Sequence, residues 1–364
     1  MKMTRRSWSL FCVALLTMAA LASSAPSALA ADLPDPPGKP ADMSKPVQVF
    51  IIMGQSNTLE MGKVAGDKDG TLEHAVKEEG LYPFMVDDQG NWTERKDVRY
   101  VHAMGSGGWN GNAGVRRNMW LTVPGKKLGI EQGIGHQLGH AIDAPVLVLK
   151  SSIGNRSLGW DLLPPGSESY EFTEKDRKTG EMKTYVYAGY GQSPSRWEKG
   201  TEPKPIGWKA GVQYDGDVAR AKAVLEDLDT YYPGANGYEV AGFLWWQGDK
   251  DRYNAAHAAR YEQNLVALIK ALRKDFNAPN AKFVVATLGQ TEKGAEGNEG
   301  EILDAMFAVS DPSKYPQLAD DVATVYTHPL SMGSASNAHY GGNAKTYMNV
   351  GLGMGEAMVE LLKK

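Results

Sequence analysis

Short apolar runs recur along the chain at residues 47–53, 98–104, 145–150, 240–246, 283–288 and 322–327. Most are continuous rather than alternating, as expected of parallel strands buried on both faces. Between several of them the period turns helical. Residues 216–229 precede the fourth run, and residues 255–276 set Tyr261, Leu265, Leu268, Ile269, Leu272 and Phe276 on one apolar face. The C-terminal segment repeats that spacing with Tyr347, Val350, Met354, Met358 and Leu361. Strand–helix alternation predicts an α/β fold, a three-layer α/β/α sandwich around a parallel central sheet. Ligands of such sheets bind beyond the carboxyl ends of the strands.

Two stretches break the alternation. Residues 31–46 carry five prolines and no period, and read as an N-terminal arm. Residues 164–214 hold Tyr170, Phe172, Tyr185, Tyr187, Tyr190, Trp197, Trp208 and Tyr214 among many glycines and charges, with a hairpin expected around Thr179-Gly180. So short a stretch with few aliphatic residues would bury a poor core alone, so it reads as an insertion or lid on a main domain over 47–364. Its aromatics could stack on sugar rings or pack the insertion down.

The first thirty residues carry a different pattern. Lys2, Arg5 and Arg6 form a basic start, residues 10–22 an apolar run, and Ala28-Leu29-Ala30 a small-residue cleavage site. That order predicts a signal peptide and an exported protein, periplasmic or extracellular. The apolar run is short for a membrane span, and no membrane insertion is expected. The only cysteine, Cys12, lies in this leader, so the mature chain would have no disulfide, thiol nucleophile or cysteine-based metal site. Without the leader's three cations the balance is 36 basic to 43 acidic residues, which argues against a general affinity for nucleic acid.

Three stretches look chemical. Gly54-Gln55-Ser56-Asn57 follows the first apolar run. Trp245-Trp246-Gln247-Gly248-Asp249-Lys250-Asp251 follows the fourth, and His339-Tyr340 leads into the last helix. A serine hydroxyl needs a base to take its proton, and that base needs a partner to orient it. Ser56, His339 and a carboxylate at 249–251 supply those roles from three loops.

These blocks resemble the SGNH hydrolases, and within them the sialate O-acetylesterase-like and acetylxylan-esterase-like carbohydrate esterases. Gly54 to Asn57 match the family's Gly-Gln-Ser-Asn. Trp245 to Asp251 match its Trp-X-Gln-Gly-Glu-X-Asp except for Asp249 in the glutamate position, and His339 matches its late histidine. "KLGIEQGIGHQLG" and "SSIGNRSLGWDLLPP" resemble the intervening blocks, so the similarity spans roughly residues 47–362. The resemblance implies a flavodoxin-like SGNH fold, with Ser56 as nucleophile and His339 as general base. It also implies an oxyanion held by the N–H groups of Ser56 and Gly154 and the Gln247 side chain, with Asn57 and Asn155 in the pocket. Many members place an aspartate three residues before the histidine, where this chain has Ser336. Either the orienting acid comes from the second block, as Asp249 or alternatively Asp251, or a neutral group orients the histidine and activity is weak, or the chain is not an active esterase.

Other candidates weigh less. His136 and His140 stand four apart, but Gln137 replaces the glutamate of a zinc protease, and no metal is expected. No phosphate-binding glycine loop occurs, so no cofactor is expected either. His102 is expected near the pocket rim, and His328 in the core or a pocket wall. Arg156 reads as an ion-pair residue or a contact to substrate, and at least one of Trp245 and Trp246 as core. The expected activity is hydrolysis of short acyl esters on a carbohydrate. The alternative is a weak or inactive carbohydrate-binding protein on an esterase scaffold.

Overall fold

The computed structural model describes residues 33–364 other than residues 37 and 177; the expected signal peptide, with Cys12, lies outside the described residues. The strands are β1 (Val47–Gly54), β2 (Gly62–Lys63), β3 (Arg95–Ala103), β4 (Val115–Leu121), β5 (Lys127–Leu128), β6 (Val146–Ser151), β7 (Tyr170–Lys175), β8 (Met182–Tyr187), β9 (Arg196–Glu198), β10 (Tyr238–Trp246), β11 (Lys282–Ala286) and β12 (Val322–Val325). The helices are α1 (Leu72–Lys77), α2 (Glu131–Ala141), α3 (Val212–Glu226), α4 (Leu228–Tyr231), α5 (Ala255–Ala259), α6 (Tyr261–Asp275), α7 (Gly297–Ala308) and α8 (Ala344–Leu362).

Seven strands form the central sheet in the order β12-β11-β10-β1-β6-β3-β4. Every neighbouring pair is parallel except β3 and β4. Strand β1 sits in the middle, and its side chains alternate between two cores. Val49, Ile51 and Met53 join Trp245 and residues of α3, α6 and α7 on one face. Phe50 and Ile52 join Trp246 and residues of α2 and α8 on the other. Both tryptophans are fully buried, each serving a different core because adjacent strand residues point to opposite faces.

All six apolar runs are strands of this sheet. The helix expected over 255–276 is two helices, α5 and α6, parted at Arg260. Strand β4 had no apolar run to mark it: it is an edge strand, paired only to β3, with largely half-buried side chains. No helix among the described residues is long and apolar enough to cross a membrane.

Residues 170–198 form a separate three-stranded antiparallel sheet, β7-β8-β9, with the β7–β8 turn around Thr179-Gly180. Tyr185 and Tyr187 form a small core with Ala256 of α5, against which Tyr170 and Phe172 pack. The Tyr170 hydroxyl donates to the Ala256 carbonyl at 2.9 Å. These four aromatics hold the small sheet against α5.

At the carboxyl end of β1, Gly54 has φ +146°, and a Cβ there would run into the carbonyl oxygen of Trp246 in β10. Glycine lets the two strands close up where the chain leaves the sheet. Gly54→Ala is expected to destabilise the fold by about 3 kcal/mol, from strained backbone and overpacking together. A urea midpoint equal to that of the parent protein would contradict this.

Candidate active site

Beyond Gly54 the chain makes one turn of 3-10 helix, Ser56–Thr58. The turn is pinned from inside: the Thr58 N–H and hydroxyl both donate to the Gln55 carbonyl, at 2.9 and 2.7 Å. The Thr58 hydroxyl also meets the Ser152 hydroxyl at 2.6 Å. Ser56 is left half-exposed between the buried Gln55 and Asn57. Asn57 is fully buried, and neither polar atom of its amide has a partner among the described residues.

The segment after β6 lies against the serine. A Cβ on Gly154 would sit 3.3 Å from the Ser56 Cβ, so the backbone passes alongside the hydroxyl-bearing carbon. The N–H groups of Ser56 and Gly154 make no hydrogen bond among the described residues. Two free donors beside one hydroxyl can receive the oxygen of a tetrahedral intermediate. Asn155 is exposed and left-handed, with φ 59°, a conformation asparagine tolerates better than most residues.

The loop after β10 carries the second block. Gln247, expected to face the oxyanion, is fully buried. Its amide nitrogen lies 3.1 Å from Gln55 Oε1, 2.9 Å from the Arg156 carbonyl and 2.5 Å from Asp251 Oδ2. An amide has two N–H groups, and three acceptors already surround this one. Gln247 therefore ties the serine turn to the segment after β6. Its Oε1 accepts from Tyr261 at 2.8 Å.

The two candidate carboxylates face different ways. Asp251 is fully buried and accepts from the N–H groups of Leu158 and Gly159 at 2.9 and 2.8 Å. Burial pushes its carboxyl up to about 6. His257 stands with Nδ1 3.6 Å from it, and burial holds that imidazole down at about 4. Asp251 thus orders the 157–159 loop. Asp249 instead accepts from the Ser336 hydroxyl at 2.6 Å and from Arg252 Nε at 2.9 Å, and Arg252 is held in turn by Glu299.

Ser336 opens the turn that carries His339. Four consecutive residues there are left-handed, from His339 (φ 52°) and Tyr340 (φ 53°) to Gly341 (φ 67°) and Gly342 (φ 75°). Two non-glycine residues in that region cost of order 1–2 kcal/mol each, and aromatic packing opposes the strain. Tyr340 is buried and stacks on Trp246 with ring centroids 5.6 Å apart, while the Tyr347 hydroxyl donates to the His339 carbonyl at 3.2 Å. The turn is thereby fixed over the end of β10, and it packs against the serine turn with Cα separations within 8 Å. His339 is half-buried, and its ring forms no hydrogen bond to Ser56 or to any other described residue.

The remaining histidine candidates fall outside this cluster. His136 is a core residue against Phe84, with ring centroids 4.7 Å apart. His102 is buried with Nδ1 3.5 Å from Glu60, and burial lowers its pKa. His328 Nδ1 donates to the Gly289 carbonyl, 2.9 Å away. Arg156 forms no ion pair among the described residues; it bonds Gln213 and Ser106 and lies over the Trp208 ring, 5.1 Å from its centroid. Ser336 stands out in the sequence only as the residue in place of the family's aspartate, and His257 not at all; nothing marks a serine as a carboxylate's partner until the two loops meet.

Comparison with known proteins gives a family and distant structural likenesses. The model of a carbohydrate esterase family, sialic acid-specific acetylesterase, matches residues 172–360. No curated protein sequence matches the chain. Among solved structures, a protein from Arabidopsis thaliana is 16% identical with a TM-score of 0.45, covering 86% of this chain and 98% of that one. A carbohydrate acetylesterase from Xanthomonas citri is 13% identical with a TM-score of 0.49; the match covers 85% of this chain and 55% of that one. NanS is 14% identical with a TM-score of 0.37, covering 78% of each chain.

Proposed function

The chain belongs to the sialic acid-specific acetylesterase family of carbohydrate esterases, and from that premise we propose that it removes O-acetyl groups from a carbohydrate with Ser56 as nucleophile. Ser56 Oγ attacks the ester carbonyl carbon while His339 takes its proton. The oxyanion is held by the N–H groups of Ser56 and Gly154. His339 returns the proton to the departing sugar oxygen, leaving an acetyl-enzyme. Water, giving its proton to His339, then attacks the acyl carbon and releases acetate and the free serine. No cofactor takes part in these steps.

One observation carries this reading: the 2.6 Å hydrogen bond from Ser336 to Asp249. It sets a carboxylate beside the residue three before the histidine, where many SGNH enzymes carry their aspartate, and so supports Asp249 as the acid of the scheme. Asp249 and Ser336 are positioning residues in this scheme, and Gln247 and Asp251 brace the loops. Residues 47–364 form the esterase domain, with about 164–214 inserted. The basic, apolar and small-residue order of residues 1–30 supports action outside the cytoplasm on an exported substrate.

The test is acetate release by purified protein from an aryl acetate and from a panel of O-acetylated sugars, beginning with acetylated sialic acid. Release from both an aryl ester and at least one sugar ester is expected. Sugar binding without release from any ester would replace the enzyme by a carbohydrate-binding protein on the same scaffold.

A further inference from the structure

The small antiparallel sheet does not lie flat on the main domain. Between β7 and β9 on one side and the loops after β6 and β10 on the other is a cavity of about 520 Å³, lined in part by Trp160, Asp161, Lys175, Ser195, Lys250 and His257. That volume is within the range of small-ligand sites. Its polar groups are unusually free. Lys175 Nζ, Lys250 Nζ, Ser195 Oγ, Asp161 Oδ1 and His257 Nε2 have no hydrogen-bond or ion-pair partner among the described residues, although they come from five separate segments. A charged pair at the wall, Arg196 and Glu174, is satisfied internally.

Hydrogen bonds link the cavity's wall to the residue before the serine. The Lys250 N–H donates to Gln55 Oε1 at 3.1 Å, and Gln55 immediately precedes Ser56. His257 lies 3.6 Å from the carboxylate of Asp251, which Gln247 joins to the same Gln55.

We infer that this cavity is a subsite for the sugar residue glycosidically linked to the acetylated one, so that the substrate is an oligosaccharide or glycan end rather than a free monosaccharide. A pyranose has a rim of hydroxyls that both donate and accept, and apolar C–H faces. Unengaged ammonium, hydroxyl, carboxylate and imidazole groups answer the rim, and the half-buried Trp160 ring offers a face. The cavity has too little aliphatic lining for an apolar ligand, and Lys250 at its wall is bonded to Gln55, the residue before Ser56. The small sheet then supplies one wall of the subsite, through Lys175 and Ser195. This inference rests on the esterase reading for the identity of the neighbouring residue.

The test is calorimetric binding to full-length Ser56→Ala protein, which does not depend on turnover. Sialyllactose is compared with N-acetylneuraminic acid, and xylotetraose with xylose. At least one oligosaccharide is expected to bind about tenfold or more tightly than its monosaccharide, and Ala255→Trp, which fills the cavity from α5, is expected to erase most of that ratio. Lys175→Ala, on an exposed strand position, is the second variant and is expected to reduce the ratio several-fold without a packing change. No preference for either oligosaccharide, or a preference untouched by both substitutions, overturns the subsite. Failure of the parent protein to hydrolyse any ester, with the oligosaccharide preference intact, would overturn the esterase reading and leave the subsite standing.

Discussion

Ser56→Ala is expected to lower kcat on any acetyl ester by about 10⁶-fold, the scale of losing the nucleophile in a serine hydrolase. The fold should tolerate the change, because Ser56 is half-exposed and its turn is pinned by Thr58 and Gln55 instead. Equal thermal midpoints with activity lost would confine the effect to chemistry. Loss of less than about tenfold, measured with an aryl acetate, would mean that another group performs the attack.

Asp249→Asn is expected to cost roughly 10³- to 10⁴-fold in kcat with little change in KM, the scale seen when a triad acid is neutralised. The physical argument runs through Ser336. Its hydroxyl is fully buried and donates to Asp249 Oδ1, so the charge reaches the histidine's turn at one residue's remove. Ser336→Asp alone should also impair the enzyme, since it sets two carboxylates at hydrogen-bond distance and like charges there cannot both ionise comfortably. The double variant Asp249→Asn with Ser336→Asp keeps one carboxylate and one neutral partner across the same gap. It should regain at least about tenfold over Asp249→Asn, a coupling that independent structural roles would not produce. Strictly additive losses would remove Asp249 from the mechanism. Ser336→Ala is the milder case: it leaves a charged acceptor short of one bond, at a stability cost of about 1.5–3 kcal/mol.

Much of the fold was legible because the central strands are buried on both faces. Runs such as VAGFLWW leave no polar alternation to confuse with a surface strand, and each lies in the sheet. Strand β4 and helix α7 were not legible: the first is a half-buried edge strand with two arginines, the second begins in glycine and glutamate with a weakly marked apolar face. At the candidate site the residue types were readable but their bonds were not. The choice between Asp249 and Asp251 turns on which loop each carboxylate meets, and two residues of separation in sequence send one to Ser336 and the other to the Leu158 and Gly159 amides. Gln247 shows the converse. Its side-chain chemistry suits an oxyanion donor, and nothing in the sequence marks the three acceptors that surround its nitrogen.

The most direct measurement is mass spectrometry of the protein inactivated by a serine-directed organophosphonate. A single adduct on the peptide containing Ser56, formed in step with loss of esterase activity and absent from Ser56→Ala, is the predicted result. Full inactivation with the adduct on another residue, and none on Ser56, would contradict the assignment of this serine as the nucleophile.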